Sequence, residues 1–174
     1  MSDAVFPEAA AARSAVYRVF AEAFTYRGAE ASPYAIDGAA FNEAFEPAIG
    51  KRASSLRERS YVSEDQGTLF EDLTRFYDFF GLGRREDAEM PDHVSIELEF
   101  MHFLTHLETL VAPRPGDLAS LRRAQRDFLS RHLVRLLRGV AGKLDGASPG
   151  CQALVAEARA FVEHEAARLA EAVA

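Results

Sequence analysis

The sequence is poor in the residues that carry most covalent and metal chemistry. Cys151 is the only cysteine among 174 residues, so an intrachain disulfide and a four-cysteine zinc site are both excluded. A glycine-rich phosphate loop and a Gly-x-Ser-x-Gly nucleophile elbow are missing as well. These absences favour a protein that is not an enzyme.

Long apolar stretches are also missing. No run approaches the roughly 18 residues of a membrane span. Residues 1–13 lack the basic segment and apolar core of a secretory signal, which favours a cytoplasmic protein.

The chain is acidic, with a formal net charge of −7 and a pI of about 5.3. Such a charge disfavours binding to nucleic acid phosphates and permits attraction of a basic peptide. A hydrophobic content of 48% argues against disorder, and the length suits one domain over residues 1–174.

Apolar residues recur at spacings of three and four along almost the whole chain, and no segment alternates with a period of two. We therefore predict an all-α fold, a single bundle of five to seven helices. The residues expected in the core include Phe76, Phe80, Phe100, Leu104, Phe128 and Leu136.

Several helix ends can be predicted from local signals. Thr68 and Glu71 fit a capping box, and Gly81 suits a left-handed helix end. Asp92 and Asp117 are predicted to cap the next two helices. Residues 83–90 are expected to form a charged loop, and a last helix is expected to start at 148–149.

Glu99, His102 and His106 are stacked on one helix face, and Glu99-x-x-His102 has the spacing of di-iron helical bundles. A metal-dependent helical enzyme is therefore an alternative to a binding protein. That motif must occur twice to hold two metals, and here it occurs once, so a solvated face is the competing interpretation. His132 lies on an apolar stripe and is predicted to be a hydrogen-bonded core histidine.

Three strings in series carry a resemblance to a known family. They are Leu-Thr-Arg-Phe-Tyr-Asp-Phe-Phe-Gly-Leu at 73–82, Pro-Asp-His at 91–93 followed by Glu-Leu-Glu-Phe-Met at 97–101, and Ala-Gln, Phe-Leu and His-Leu at 124–133. Over about residues 66–138 the chain resembles the TorD/DmsD/NarJ chaperones. The adjacent Pro91 and Asp92 are similar to the nitrate-reductase branch, although that branch often carries Tyr in place of His93. Chaperones that serve enzymes acting on selenate, chlorate, dimethyl sulfide or ethylbenzene fit this intermediate pattern.

The resemblance implies a chaperone with no catalytic site and no cofactor of its own. Its partner would be the catalytic subunit of a molybdenum enzyme of the dimethyl-sulfoxide-reductase superfamily. The chaperone would hold the N-terminal signal or leader until the cofactor is inserted. The family also implies a monomer or a domain-swapped dimer. The client, a twin-arginine motif in its leader, and binding of nucleotide or molybdopterin stay open.

A leader with basic residues and an apolar core needs carboxylates beside an apolar groove. We expect Asp92 and Glu97 to supply the carboxylates. The residues expected to contact the client peptide are Pro91, Asp92, His93, Glu97, Tyr77, Phe80 and Tyr26.

Overall fold

A computed structural model describes residues 6–83 and 88–172, and all regular structure within those ranges is helical. The predicted all-α class is confirmed. The α-helices are α1 (Ala10–Ala23), α2 (Tyr26–Ala31), α3 (Gly38–Phe45), α4 (Gln66–Phe79), α5 (Val94–Val111), α6 (Pro115–Phe128), α7 (Val134–Lys143) and α8 (Pro149–Ala172).

The helix count also agrees with the prediction. A π-helical segment, Leu129–Leu133, joins α6 to α7 without a break, so the described residues form seven helical rods. A short 3₁₀ turn spans Glu58–Ser60. None of the described helices is both long and apolar enough to span a membrane. Residues 84–87 of the expected charged loop, and residues 1–5, lie outside the described ranges.

The bundle is built around α5. Helix α1 packs along α5 in the most extensive helix pair, α6 packs on α5, and α7 packs on α8. Four of the predicted core residues are buried: Phe100, Leu104, Phe128 and Leu136. Phe76 and Phe80 are half-buried and pack against the edge of that core.

The start of α4 differs from the prediction. Asp65 is the N-cap, and its Oδ1 accepts hydrogen bonds from the amides of Gly67 at 2.9 Å and Thr68 at 3.1 Å. The capping box predicted at Thr68 is therefore wrong, because a carboxylate three residues earlier already binds those amides.

The end of α4 follows the prediction. Gly81 has a φ of +73°, its amide bonds the carbonyl of Asp78, and the amide of Leu82 bonds the carbonyl of Tyr77. This paired arrangement satisfies the last carbonyls of the helix and needs a residue that tolerates the left-handed region.

The caps predicted for the next two helices are wrong. His93 rather than Asp92 is the N-cap of α5, and its Nδ1 accepts from the Ser95 amide at 3.2 Å. Asp92 does not cap the helix because its carboxylate faces Arg59. In α6, Pro115 takes the first position and Asp117 lies inside the first turn.

A buried ionic cluster ties four helices together. Arg13 on α1 is 2% exposed, and its guanidinium lies 2.8 Å from Glu108 on α5 and 3.1 Å from Glu165 on α8. Arg122 on α6 pairs with Glu108 at 2.8 Å, and Arg168 pairs with Glu165 at 2.7 Å. Such pairing is what permits charged groups to be buried. We call these five residues the arginine cluster.

Candidate functional site

A groove of about 660 Å³ opens between α1, α4 and α5. We call it the first groove. Its lining is largely apolar, as expected for a ligand-binding cleft. The apolar lining includes Ala21, Tyr77, Pro91, Ile96, Phe100 and Phe103.

The rim of the first groove carries more negative than positive charge. Its acidic residues are Glu22, Asp78, Glu89 and Glu99, and its basic residues are Arg18 and His102. Arg18 already pairs with Glu22 at 2.9 Å, and Glu89 pairs with Arg57 at 3.1 Å. Burial raises the pKa of the Glu99 carboxyl, the neighbouring His102 lowers it, and Glu22 raises it further. The rim therefore favours a ligand that brings positive charge.

Tyr77 fixes one wall of the first groove. Its hydroxyl donates to the carbonyl of Pro91 at 2.8 Å, and its ring meets Phe100 edge-on at 5.0 Å between centroids. Burial, together with the nearby carboxyl of Glu97, raises the pKa of Tyr77 well above its usual value. The hydroxyl therefore stays protonated and keeps α4 attached to the segment that precedes α5.

That segment is also hydrogen-bonded to Leu56 and to the 3₁₀ turn that follows it. The Glu58 amide donates to the carbonyl of Asp92 at 2.8 Å, and the Val94 amide donates to the carbonyl of Leu56 at 2.9 Å. The Asp92 carboxylate accepts from the Arg59 amide at 3.3 Å. Burial raises the pKa of Asp92, and the Arg59 amide and guanidinium oppose that rise. We call these contacts the clasp. They fix the backbone next to Pro91, which lines the groove.

A second set of buried charges lies next to the clasp. His132 is 1% exposed, with Nδ1 3.1 Å from Glu58 and Nε2 2.9 Å from Asp72. This confirms the predicted hydrogen-bonded core histidine. Arg135 also hydrogen-bonds Glu58. We call Glu58, Asp72, Glu97, His132 and Arg135 the histidine cluster.

Glu97 is the unusual member of the histidine cluster. Its side chain is fully buried, and no donor among the described residues reaches either of its carboxyl oxygens. Burial and the adjacent charge of Glu58 raise its pKa well above the usual value. The raised pKa favours the protonated carboxyl, which bears no charge and so tolerates burial without a cation.

Three of the sequence-predicted site residues lie beneath the groove rather than in its lining. Asp92 and Glu97 are fully buried and His93 is 8% exposed. Burial lowers the pKa of His93 to about 4, so the imidazole is neutral near pH 7 and Nδ1 can accept from Ser95. Two other predicted residues, Tyr77 and Pro91, do line the groove.

The remaining two predicted residues lie elsewhere. Phe80 lines another groove, of about 540 Å³, between α4, α5 and α6. Tyr26 on α2 is 56% exposed and does not line the first groove, and its ring packs edge-on against Phe41 at 6.0 Å. The apolar residues of the other groove, which we call the second groove, include Phe76, Phe79, Phe80, Leu107, Val111 and Leu121.

The residues of the metal alternative make other contacts. Glu99 and His102 line the first groove, and His106 is exposed. Nδ1 of His102 lies 2.8 Å from the Ser14 hydroxyl and 2.9 Å from the Ser14 carbonyl, which joins α5 to α1. Within residues 6–83 and 88–172, no three His, Cys, Asp or Glu side chains are grouped as a metal site.

Apart from Tyr77, the groove residues on α1 and α4 were not predicted. Arg18, Ala21 and Glu22 share one face of α1 by their spacings of three and four, and Thr74 and Asp78 share a face of α4 with Tyr77. This spacing shows that the residues share a helix face. It does not show whether another helix packs on that face or leaves it open to form a groove.

Comparison with known proteins assigns the chain to a family. Residues 38–138, more than half of the chain, match the family model described as nitrate reductase delta subunit. The selenate reductase assembly chaperone protein of Thauera selenatis is 42% identical over 97 residues, covering 54% of this chain and 50% of that protein. The perchlorate reductase assembly chaperone protein of Dechloromonas aromatica is 38% identical over 98 residues, covering 55% and 44% respectively.

A third relative, the chlorate reductase assembly chaperone protein of Ideonella dechloratans, is 36% identical over 104 residues, covering 58% of this chain and 53% of its own length. The chain thus matches these curated relatives over about half of their length. The matched family region contains the clasp, the histidine cluster, α4 and α5. The chain therefore belongs to the nitrate reductase delta subunit family.

Proposed function

We propose that this protein is an assembly chaperone for a molybdenum oxidoreductase, and that the first groove binds the N-terminal leader of the catalytic subunit. The observation that carries the proposal is an apolar groove with an acidic rim in a chain similar to named reductase assembly chaperones. The chaperone acts in the cytoplasm, holds the subunit until its cofactor is inserted, and carries out no reaction of its own.

The chemistry of the groove suits such a leader. An apolar peptide segment gains free energy by covering the side chains of Ile96, Phe100 and Phe103. A basic residue beside that segment meets Glu99 or Asp78 on the rim. A charge-assisted hydrogen bond of this kind contributes about 1.5–3 kcal/mol. Both parts are needed, because a purely basic peptide leaves the apolar lining uncovered and a purely apolar peptide leaves the rim carboxylates without a cation.

In this proposal the buried residues of the predicted site position the groove and do not contact the leader. The clasp holds Pro91 at the groove, and Asp92 and His93 hold the clasp and the start of α5. Glu97 lies fully buried on α5, where the charge of Glu58 helps to raise its pKa. Direct contact with leader arginines is assigned to the exposed carboxylates of the rim. Phe80 and Tyr26 stay predicted contacts for parts of the client outside the first groove.

Titration calorimetry with a synthetic leader peptide tests the proposal. The peptide joins an apolar segment to a pair of arginines, which are the two features that suit the groove. Glu99→Gln and Asp78→Asn each remove one rim charge and keep the size of the side chain. We expect each to weaken binding about tenfold, equivalent to about 1.4 kcal/mol, and more so at low salt.

Glu43→Gln is the matched control, because Glu43 is exposed on α3 and does not line the first groove. It should bind the peptide as the unsubstituted protein does. Equal affinities for all three variants and the unsubstituted protein would contradict the proposed role of the rim. Failure of the unsubstituted protein to bind any leader would contradict the proposed function.

A further inference from the structure

The second groove is an open apolar cleft. Helices α4 and α6 contribute most of its lining, and Leu107 and Val111 come from α5. Phe79 in this lining is 82% exposed, and its ring meets that of Phe80 edge-on at 5.1 Å between centroids. Large apolar side chains grouped at a cleft mark an interaction surface, because water contacts them at a cost in free energy.

The length of the second groove suits a short helix. Its α4 side runs from Asp72 to Phe79, which is about 10 Å of helix, or two turns. An amphipathic helix satisfies its own backbone hydrogen bonds and places apolar side chains at spacings of three and four on one face. It can therefore cover an apolar cleft between helices without leaving buried amides unpaired.

The carboxylates that line the second groove are already neutralised by arginines. Each of the three lies within ion-pair distance of a guanidinium. The pairs are Asp72 with Arg131, Asp117 with Arg114, and Asp127 with Arg126. A basic ligand would therefore have to compete with an arginine for each carboxylate.

Two guanidiniums at the second groove lack a carboxylate partner among the described residues. Arg75 is exposed on α4 and lines the groove. Arg123 is exposed on α6, and its guanidinium donates at 3.0 Å to the hydroxyl of Ser120, which lines the α6 side. Glu71, one turn before Arg75, lines a neighbouring cleft and not the second groove. Each side of the second groove thus presents a positive charge that an acidic ligand can neutralise.

We infer that the second groove binds an acidic amphipathic helix of a partner protein. The apolar face of that helix covers Phe79 and Leu121. Carboxylates along its two edges pair with Arg75 on α4 and Arg123 on α6. This ligand is opposite in charge to the basic leader proposed for the first groove, so the two grooves select different ligands. None of the described residues lines both grooves, so the inference and the proposed leader site can fail or succeed separately.

Two synthetic helical peptides test the inference. They share the same leucine face, and one has glutamates along both edges of that face while the other has lysines. Titration calorimetry measures their affinity, and a benzoyl-phenylalanine at position 79 reports by crosslinking whether a peptide occupies the second groove. We expect the glutamate-edged peptide to bind and to crosslink at position 79, and the lysine-edged peptide to crosslink there about tenfold less.

Charge reversal tests the two arginines. Arg75→Glu and Arg123→Glu should each weaken binding of the glutamate-edged peptide about tenfold. In the double variant, the lysine-edged peptide should become the one that crosslinks at position 79. Arg27→Glu is the matched control, because Arg27 is also exposed, forms no ion pair in the described part of the chain and lies on α2, outside the second groove. It should leave binding unchanged.

Phe79→Ser tests the apolar contact. It should weaken binding of the glutamate-edged peptide about tenfold, because the peptide then covers less apolar surface. Ile49→Ser is its control, since Ile49 is also an exposed apolar residue, at 63%, and lies outside the second groove. Circular dichroism melting checks that every variant folds.

Four results would overturn the inference. The first is no binding of the glutamate-edged peptide to the unsubstituted protein. The second is equal crosslinking of both peptides at position 79, which would indicate an apolar surface without selection for charge. The third is unchanged affinity in both arginine reversals. The fourth is a protein that dimerises in sedimentation velocity as its concentration rises and stays monomeric as Phe79→Ser, which would assign the second groove to a second copy.

Discussion

The arginine cluster and the histidine cluster both bury carboxylates at the centre of this bundle, and they stabilise them differently. In the arginine cluster, Glu108 and Glu165 each contact guanidinium groups. In the histidine cluster, Glu58 is paired with His132 and Arg135, while no donor among the described residues reaches Glu97. A carboxyl without a cation keeps its proton, and a carboxylate paired with guanidinium stays ionised.

The two clusters therefore respond to pH in opposite directions. Burial raises the pKa of Glu108, but the Arg122 hydrogen bond and the Arg13 charge outweigh it and lower the pKa overall. The stability that Glu108 contributes is present above the pKa of an unfolded glutamate, about 4.3, and is lost as pH falls through its folded value. The pKa of Glu97 is raised instead, so its contribution is present below about 4.3 and declines as pH rises towards its folded value.

Removing Arg13 should give the largest loss of stability. Arg13→Ala leaves Glu108 and Glu165 buried with fewer cations, and breaking a buried pair costs about 3–5 kcal/mol. We expect the lower end of that range, because Arg122 and Arg168 still contact the two carboxylates. Urea unfolding measures the loss.

Arg18→Ala on the same helix is the control for that experiment. Arg18 pairs with Glu22, and both side chains are mostly exposed. Such a surface pair contributes less than about 1 kcal/mol. Equal losses for Arg13→Ala and Arg18→Ala would mean that the arginine cluster does not hold the four helices together.

Opening the clasp should give an intermediate effect. Asp92→Ala leaves the half-buried Arg59 amide without its carboxylate acceptor, and we expect a cost near the lower end of the roughly 1–3 kcal/mol of a buried group. Asp92→Asn keeps an acceptor oxygen and should be nearly neutral. Thermal melting measures stability, and calorimetry with the leader peptide measures the consequence for the first groove.

The leader-peptide experiment separates two roles for Asp92. If Asp92 acts through the clasp, only Asp92→Ala weakens peptide binding. A loss of affinity in a fully stable Asp92→Asn variant would assign the carboxylate a direct contact with the peptide instead.

Glu97→Gln should give the smallest change in the free energy of unfolding at acidic pH, and that change should depend on pH. Gln is uncharged and close in size to a protonated Glu, so stability at acidic pH should change by no more than about 1 kcal/mol. As pH rises, the variant should become more stable relative to the unsubstituted protein, since it has no proton to lose. Urea unfolding over a series of pH values measures this difference, with the exposed Glu43→Gln as the control. A difference that does not change with pH would contradict a protonated Glu97.

Local signals in the sequence predicted much of the fold. The apolar spacing of α4, α5 and α8 and the role of Gly81 depend on residues close in the chain, and the structure agrees with them. The N-cap prediction was wrong where two acceptors compete for the same amides, as at Asp65 and Thr68. Arg13 is on the same helix face as Tyr17 and Phe20, but the partners that permit its burial come from α5 and α8.

The candidate site was only partly accessible from the sequence. The Pro-Asp-His segment includes Pro91, which lines the first groove. The inward direction of Asp92 depends on pairing with residues 56–59, more than thirty positions away in the chain. The rim residues Glu22 and Asp78 depend on how α1 and α4 flank α5, and no local pattern contains that arrangement.

Photo-crosslinking tests the central claim most directly. A benzoyl-phenylalanine replaces Phe103 in the first groove in one variant and Phe79 in the second groove in another, since both are phenylalanines that reach the surface, half-buried at 103 and exposed at 79. We predict that the leader peptide crosslinks to the position 103 variant, that Glu99→Gln in that background reduces the yield, and that the position 79 variant gives no peptide adduct. Crosslinking from position 79 and none from position 103 would contradict the assignment of the leader to the acidic-rimmed groove.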